Sequence, residues 1–165
     1  MYVMKKKEFM YTKKILPEGW KKKVLAAVFL AVLGNILVQY VIPWPEFMTV
    51  SYEAAAEELA AYPLGVYLAL TLLIAPLLEE GIFRKGLYGI LRKWFGVILS
   101  AFISAVAFGL YHGNWIQGIY GFVFGLLLSW GYESSSFGKY RMVVVMHGAA
   151  NGAALLLNVV LIKYL

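Results

Sequence analysis

Long apolar stretches dominate the chain and alternate with short polar segments. Each stretch approaches or matches the roughly 20 residues that a helix needs to cross a bilayer, and together they fill more than half of the 165 residues. The stretches are Val24–Ile42, Leu64–Leu78, Trp94–Tyr111, Trp115–Tyr132 and Met142–Ile162. The pattern predicts an all-α fold, namely a polytopic transmembrane helix bundle of about five spans.

The polar positions divide the chain into three predicted parts. Residues 1–23 are basic with interleaved aromatic side chains, which is typical of a juxtamembrane segment lying on anionic lipid. Residues 24–63 hold the first span and a short amphipathic helix on the outer surface, separated by Pro43-Trp44-Pro45. Residues 64–165 form the remaining bundle, and this part carries the candidate chemistry.

The segment from Leu64 stays compatible with helix beyond its apolar run, as far as about Leu91. It is either one long tilted helix or a span followed by an interfacial helix, and Pro76 is a position where it can kink. An unbroken helix, or a strongly tilted third span, is needed to bring Glu79 to the depth of His112. We expect the turn that begins at His112 to be sunk into the protein and to line a wet cavity.

Composition and charge exclude several classes of protein. With 62% hydrophobic and 15% charged residues, the chain is far from a soluble domain, which has about 25% charged residues. The net charge of +6 does not indicate nucleic-acid binding, because all but one of the 15 basic residues lie on one side if every stretch crosses the membrane. This asymmetry predicts a cytoplasmic N-terminus and a C-terminus outside.

The first span is too long for a signal peptide and has no cleavage site, so we expect it to remain as an anchor. The absence of cysteine excludes disulfides and thiolate chemistry. Because the chain has no aspartate, any carboxylate chemistry must come from its nine glutamates.

Few ionisable side chains fall within the apolar stretches. They are Glu79, Glu80, His112 and His147, with Arg84 at the edge. Such residues are costly in a membrane and usually face the bundle interior with a partner. Glu80 and Arg84 lie four residues apart and are expected to pair, which neutralises a buried charge. Glu79 points about 100° away around the helix and is free for chemistry.

Two further spacings suggest a reaction. His147 and Asn151 share a helix face and offer two donors that can stabilise an oxyanion, and Phe108 is placed to pack on the ring of His112. With a buried carboxylate as general base, the set favours attack of water on an amide carbonyl. An alternative adds zinc, because Glu79, His112 and His147 can fill three of four tetrahedral positions, although the HExxH spacing is absent.

Three motifs then lie in order on successive segments. Glu79–Arg84 fits EExxxR, Phe108–His112 fits FxxxH and His147–Asn151 fits HxxxN. Together they resemble the CPBP family, which comprises the type II CAAX prenyl proteases and their bacterial relatives, also called abortive-infection (ABI) proteins. The resemblance covers about residues 76–152. It implies an intramembrane glutamate-type endopeptidase that needs neither a cofactor nor a metal.

The resemblance also implies a role for each site residue. Glu79 would be the general base on the attacking water, and His112 would help to hold that water. His147 and Asn151 would form the oxyanion site. The implied catalytic residues are therefore Glu79, His112, His147 and Asn151, and the supporting residues are Glu80, Arg84 and Phe108.

The implied partners are a peptide or membrane-protein substrate and the lipid bilayer, and the implied location is the bacterial plasma membrane. Because the CPBP family includes bacterial members regarded as immunity or scaffold proteins, a non-proteolytic membrane scaffold or bacteriocin-immunity protein is the alternative function. The zinc-dependent protease is the second alternative. A small-solute transporter is disfavoured, since the chain shows no internal repeat.

Overall fold

The computed structural model describes residues 15–164, with side chains described as far as Val159. The first 14 residues of the predicted basic segment lie outside this range. The described residues form six helices and no strand, which confirms the all-α prediction. The helices are α1 (Trp20–Val41), α2 (Glu46–Ala60), α3 (Leu64–Leu91), α4 (Val97–Tyr111), α5 (Trp115–Glu133) and α6 (Lys139–Tyr164).

Three of the described helices are long and apolar enough to cross a membrane, namely α1, α3 and α6. Helix α4 is apolar but has only 15 residues. It presents large apolar side chains outward, since Ile98 is 86% and Leu110 74% exposed, and such an apolar surface suits a lipid environment. The helical membrane bundle is therefore confirmed, and passage of α4 and α5 through the bilayer stays a prediction.

Glycines allow the helices to approach closely, and two of these contacts involve α5. A Cβ atom added at Gly109 of α4 would lie 2.5 Å from the carbonyl oxygen of Gly118 on α5. A Cβ added at Gly34 of α1 would lie 2.5 Å from the ring of Tyr120 on α5. Small residues let backbones pack tightly where lipid supplies no hydrophobic driving force. These contacts bring α5 against both α4 and α1.

Helix α3 runs unbroken for 28 residues, so the alternative of a span followed by a separate interfacial helix is wrong. Two of its segments, Leu70–Ile74 and Gly81–Tyr88, are π-helical. In the first, the Ala75 N–H bonds to the carbonyl of Leu70, five residues back. The next residue, Pro76, has no N–H and cannot bond to the carbonyl of Thr71 in the same way. The proline therefore frees a backbone acceptor within the membrane.

The ends of α3, α5 and α6 meet on the predicted cytoplasmic side around Glu133. The hydroxyl of Tyr88 donates to this carboxylate at 2.8 Å, and Arg92 approaches it at 3.2 Å. Lys139, at the start of α6, lies 4.0 Å away. This cluster connects the polar ends of three helices. The predicted catalytic side chains lie elsewhere, in the interior of the bundle.

Candidate active site

A single imidazole lies between the two consecutive glutamates of α3. His147 of α6 places Nδ1 2.9 Å from Glu80 Oε1 and Nε2 3.7 Å from Glu79 Oε2. His147 and Glu80 are buried, whereas Glu79 keeps a small exposed fraction. Neighbouring residues on a helix point about 100° apart, so the ring reaches the two carboxylates through its opposite nitrogens. The two glutamates therefore have different surroundings.

Glu80 forms the predicted ion pair with Arg84. The guanidinium Nε lies 3.3 Å from Glu80 Oε2, and both side chains are 0% exposed. The Arg84 guanidinium also lies 4.1 Å from the centre of the Phe108 ring, a cation–π arrangement that helps to hold a charge away from water. Glu80 contacts both Arg84 of its own helix and His147 of α6. These contacts hold α3 against α6.

His112 ends helix α4 and packs on Phe108, as predicted from their spacing, with ring centroids 4.9 Å apart. Its Nδ1 lies 2.8 Å from the Phe108 carbonyl oxygen. Because a carbonyl can only accept, Nδ1 carries the proton and Nε2 of the neutral ring is left as an acceptor. A Cβ at Gly121 of α5 would lie 3.3 Å from this ring, so the glycine gives the imidazole room.

Asn151 lies one helical turn after His147 and faces α3. Its Nδ2 donates to the carbonyl oxygen of Thr71 at 2.9 Å, an acceptor to which Pro76 has no N–H to donate. The contact satisfies a polar group that would be costly to leave unpaired inside a membrane. The carboxamide has a second N–H, so this contact fixes its position without using all its donors.

The four residues predicted to be catalytic line one cavity of about 310 Å³: Glu79, His112, His147 and Asn151. Of the turn expected to be sunk into the protein, His112 borders this cavity, whereas Gly113 is exposed and lines a different pocket together with Asn114. The expectation therefore holds for His112 and not for the whole turn. The cavity is also lined by polar residues that sequence reasoning missed, namely Thr71, Gln117, Tyr120 and Asn158. For Gln117 a signal was present, since a carboxamide within an apolar stretch is costly unless it faces the interior.

The described residues give no support to the zinc hypothesis. Among them, no three His, Asp or Glu side chains are arranged so that they could hold a metal ion together. His147 is engaged by the two glutamates, and His112 uses Nδ1 on a backbone carbonyl. The donors therefore share a cavity without forming a ligand set.

The family model of the type II CAAX prenyl endopeptidase Rce1-like proteins matches residues 61–153, more than half of the chain. The chain belongs to this family. The resemblance that the three motifs indicate is thereby confirmed, and all three motifs lie within the matched range. Searches of curated proteins and of solved structures gave no significant match.

Membership of the Rce1-like family is consistent with the apolar helices. The chain is an integral membrane protein of a protease family whose activity is that of an intramembrane endopeptidase. The substrate class that goes with this family is a peptide or protein in the membrane. Helices α1 and α2 lie outside the matched residues.

Proposed function

We propose that this Rce1-like protein hydrolyses a peptide bond of a membrane-associated peptide or protein, with Glu79 as the general base. The proposal rests mainly on the different positions of two consecutive carboxylates. Glu80 is fully buried and paired with Arg84, whereas Glu79 lies on the cavity wall. A general base must reach a water molecule and the substrate, and only Glu79 of the two meets that condition.

Glu79 and His112 are suited to hold the attacking water together. A water molecule in the cavity can donate one hydrogen to the Glu79 carboxylate and the other to Nε2 of His112, which points a lone pair of its oxygen at the substrate carbonyl. As the water oxygen bonds to the carbonyl carbon, its proton passes to Glu79. The same proton then moves to the leaving amine as the C–N bond breaks.

The oxyanion is proposed to bind at α6. Asn151 can donate its second N–H to the oxyanion while its first N–H remains hydrogen-bonded to the Thr71 carbonyl. His147 donates from Nδ1 to Glu80. Its Nε2 lies 3.7 Å from Glu79 Oε2 and borders the same cavity, and we propose that this nitrogen is the second donor to the oxyanion. Fixed donors of this kind, aimed at the charge that develops, are a strong source of rate enhancement.

We further propose that the protein resides in a bacterial plasma membrane with its N-terminus in the cytoplasm. The distribution of lysine and arginine supports the orientation. The resemblance of the three motifs to the bacterial relatives of the CAAX proteases supports the location. The substrate in that membrane is proposed to be a peptide or a membrane protein.

The test is cleavage of a quenched-fluorescence peptide library by the full chain in nanodiscs. Glu79→Gln is nearly isosteric and removes only the base, so we expect turnover to fall at least about 100-fold. The matched control is Glu57→Gln, the same change at an exposed position of α2, which we expect to leave turnover unaltered. Wild-type turnover in Glu79→Gln would contradict the mechanism, and no turnover in any sample would favour the scaffold or immunity function.

A further inference from the structure

A second, smaller pocket of about 140 Å³ lies beside the catalytic cavity, between α1, α2, α5 and α6. The two share the polar wall residues Gln117, Tyr120 and Asn151. The other polar residues of the side pocket are Asn35 of α1 and Tyr52 of α2, and none of the described charged residues lines it. The side pocket is therefore polar, uncharged and next to the proposed oxyanion site.

The carboxamide of Asn35 differs from that of Gln39, one turn later on the same helix. Gln39 Nε2 donates to Oδ1 of Asn158 on α6 at 3.3 Å, which is the usual way in which polar residues join membrane helices. Asn35 Oδ1 is buried, and no described residue gives it a hydrogen bond. A buried polar atom without a partner calls for an explanation, and helix packing does not supply one here.

The pocket combines an acceptor and a donor from two helices. Gln117 Oε1 accepts from Asn114 Nδ2 at 2.6 Å, which leaves the NH2 group of Gln117 to the pockets that it lines. The terminal torsion of an asparagine side chain is soft, and turning the Asn35 amide toward the pocket breaks no hydrogen bond of its oxygen. Asn35 can then accept while Gln117 donates.

We propose that this side pocket is a substrate subsite for an uncharged polar side chain, a carboxamide or a hydroxyl, near the scissile bond. The inference rests on the proposed function, because the shared wall at Asn151 connects the pocket to the position of the scissile carbonyl. A charged side chain finds no partner in the pocket. An apolar side chain leaves the amides of Asn35 and Gln117 unpaired, and sites built for hydrogen bonding discriminate strongly against such analogues.

The test measures binding to the Glu79→Gln protein in nanodiscs, so that cleavage does not interfere. The probes are fluorescein-labelled apolar peptides in which one asparagine is moved along the sequence, compared with leucine or aspartate at the same position. At one position we expect asparagine to bind about tenfold more tightly than leucine. This is the gain expected from one hydrogen bond when no polar group is left unpaired. Asn35→Leu should abolish this preference, and Gln39→Leu, the control on the same helix, should keep it.

The two proposals fail in different ways. If no position prefers asparagine, or if the preference persists in Asn35→Leu, the subsite is wrong, whatever the turnover of the wild type. If the preference depends on Asn35 but no peptide is cleaved, the subsite stands as a peptide-binding site and the protease function fails. Should Asn35→Leu unfold, Asn35→Ala replaces it, and loss of the preference is the result required.

Discussion

His147 of α6 binds Glu80 of α3 through Nδ1 at 2.9 Å, and Glu80 pairs with Arg84 one turn later. The arrangement fixes the ring so that its other nitrogen faces Glu79 at 3.7 Å. A buried ion pair thus acts on the proposed general base indirectly, through the imidazole between them. The consequence is that Glu80 is a positioning residue whose loss should affect stability as well as turnover.

Glu80→Ala should destabilise the protein by about 3–5 kcal/mol, because it leaves the buried Arg84 charge without its partner. Glu80→Gln keeps an acceptor oxygen and should cost less. The measurement is thermal or denaturant unfolding of the purified protein in one detergent. Glu79→Gln is the matched control, since Glu79 lines the cavity and its replacement should leave stability nearly unchanged. Equal stability of Glu80→Ala and the wild type would refute the positioning role.

Asn151 and Pro76 should be coupled, since the proline frees the Thr71 carbonyl that the asparagine binds. We expect Asn151→Ala to lower stability by about 1–3 kcal/mol through the unpaired carbonyl. Pro76→Ala restores a backbone N–H, so Asn151→Ala should cost less in that background. A double-mutant cycle of unfolding free energies measures the difference.

The same pair separates structure from catalysis. In the double variant, stability should recover while turnover stays low, because the proposed oxyanion donor on Asn151 is still missing. Additive unfolding free energies would mean that the Thr71 carbonyl finds another donor. Recovery of turnover together with stability would remove Asn151 from the proposed catalytic set.

The motifs could be predicted because an ionisable group in an apolar stretch is conspicuous and must find a partner. Spacing alone was enough to pair Glu80 with Arg84 and to place Phe108 on His112, and both contacts are present. The positions of the long helices could be predicted from the same apolar pattern. These features depend on neighbours in sequence, where helical periodicity is reliable.

The features that sequence reasoning missed depend on contacts between distant helices. Within the π-helical segment Leu70–Ile74, the carbonyl of Thr71 accepts a hydrogen bond from Asn151 of α6. No local sequence pattern indicates this contact between helices. Gln117 and Tyr120 reach the cavity because of how α5 packs on α1 and α4. A helix that is apolar on most faces gives little indication of which face turns inward.

Turnover should be insensitive to metal chelators. The proposed mechanism uses only the side chains of the cavity, and no three acidic or histidine side chains in the described part of the chain are placed to share a metal ion. The measurement is cleavage of the best library peptide with and without EDTA and 1,10-phenanthroline. A loss of activity that added zinc reverses would restore the zinc-dependent mechanism with Glu79, His112 and His147.

Gly148 and Gly152 offer a test of the α3–α6 distance on which the site depends. A Cβ at Gly148 would lie 2.7 Å from the carbonyl oxygen of Leu72, whereas a Cβ at Gly152 would meet only a Leu72 methyl carbon at 3.7 Å. Gly148→Ala must therefore push α6 away from the backbone of α3. Because His147 is the preceding residue, we expect a stability loss of about 1–3 kcal/mol and a large loss of turnover.

Gly152→Ala is the matched control, because the same methyl group meets an ordinary van der Waals contact one turn later on the same helix. It should fold and cleave like the wild type, since the separation of α3 and α6 at His147 need not change. The ratio of the two turnover rates, measured on one peptide, isolates the backbone approach from the general effect of adding a methyl group. If Gly148→Ala is as active as Gly152→Ala, the close contact at Leu72 does not position the site, and the distance between His147 and Glu79 tolerates more movement than the proposed chemistry allows.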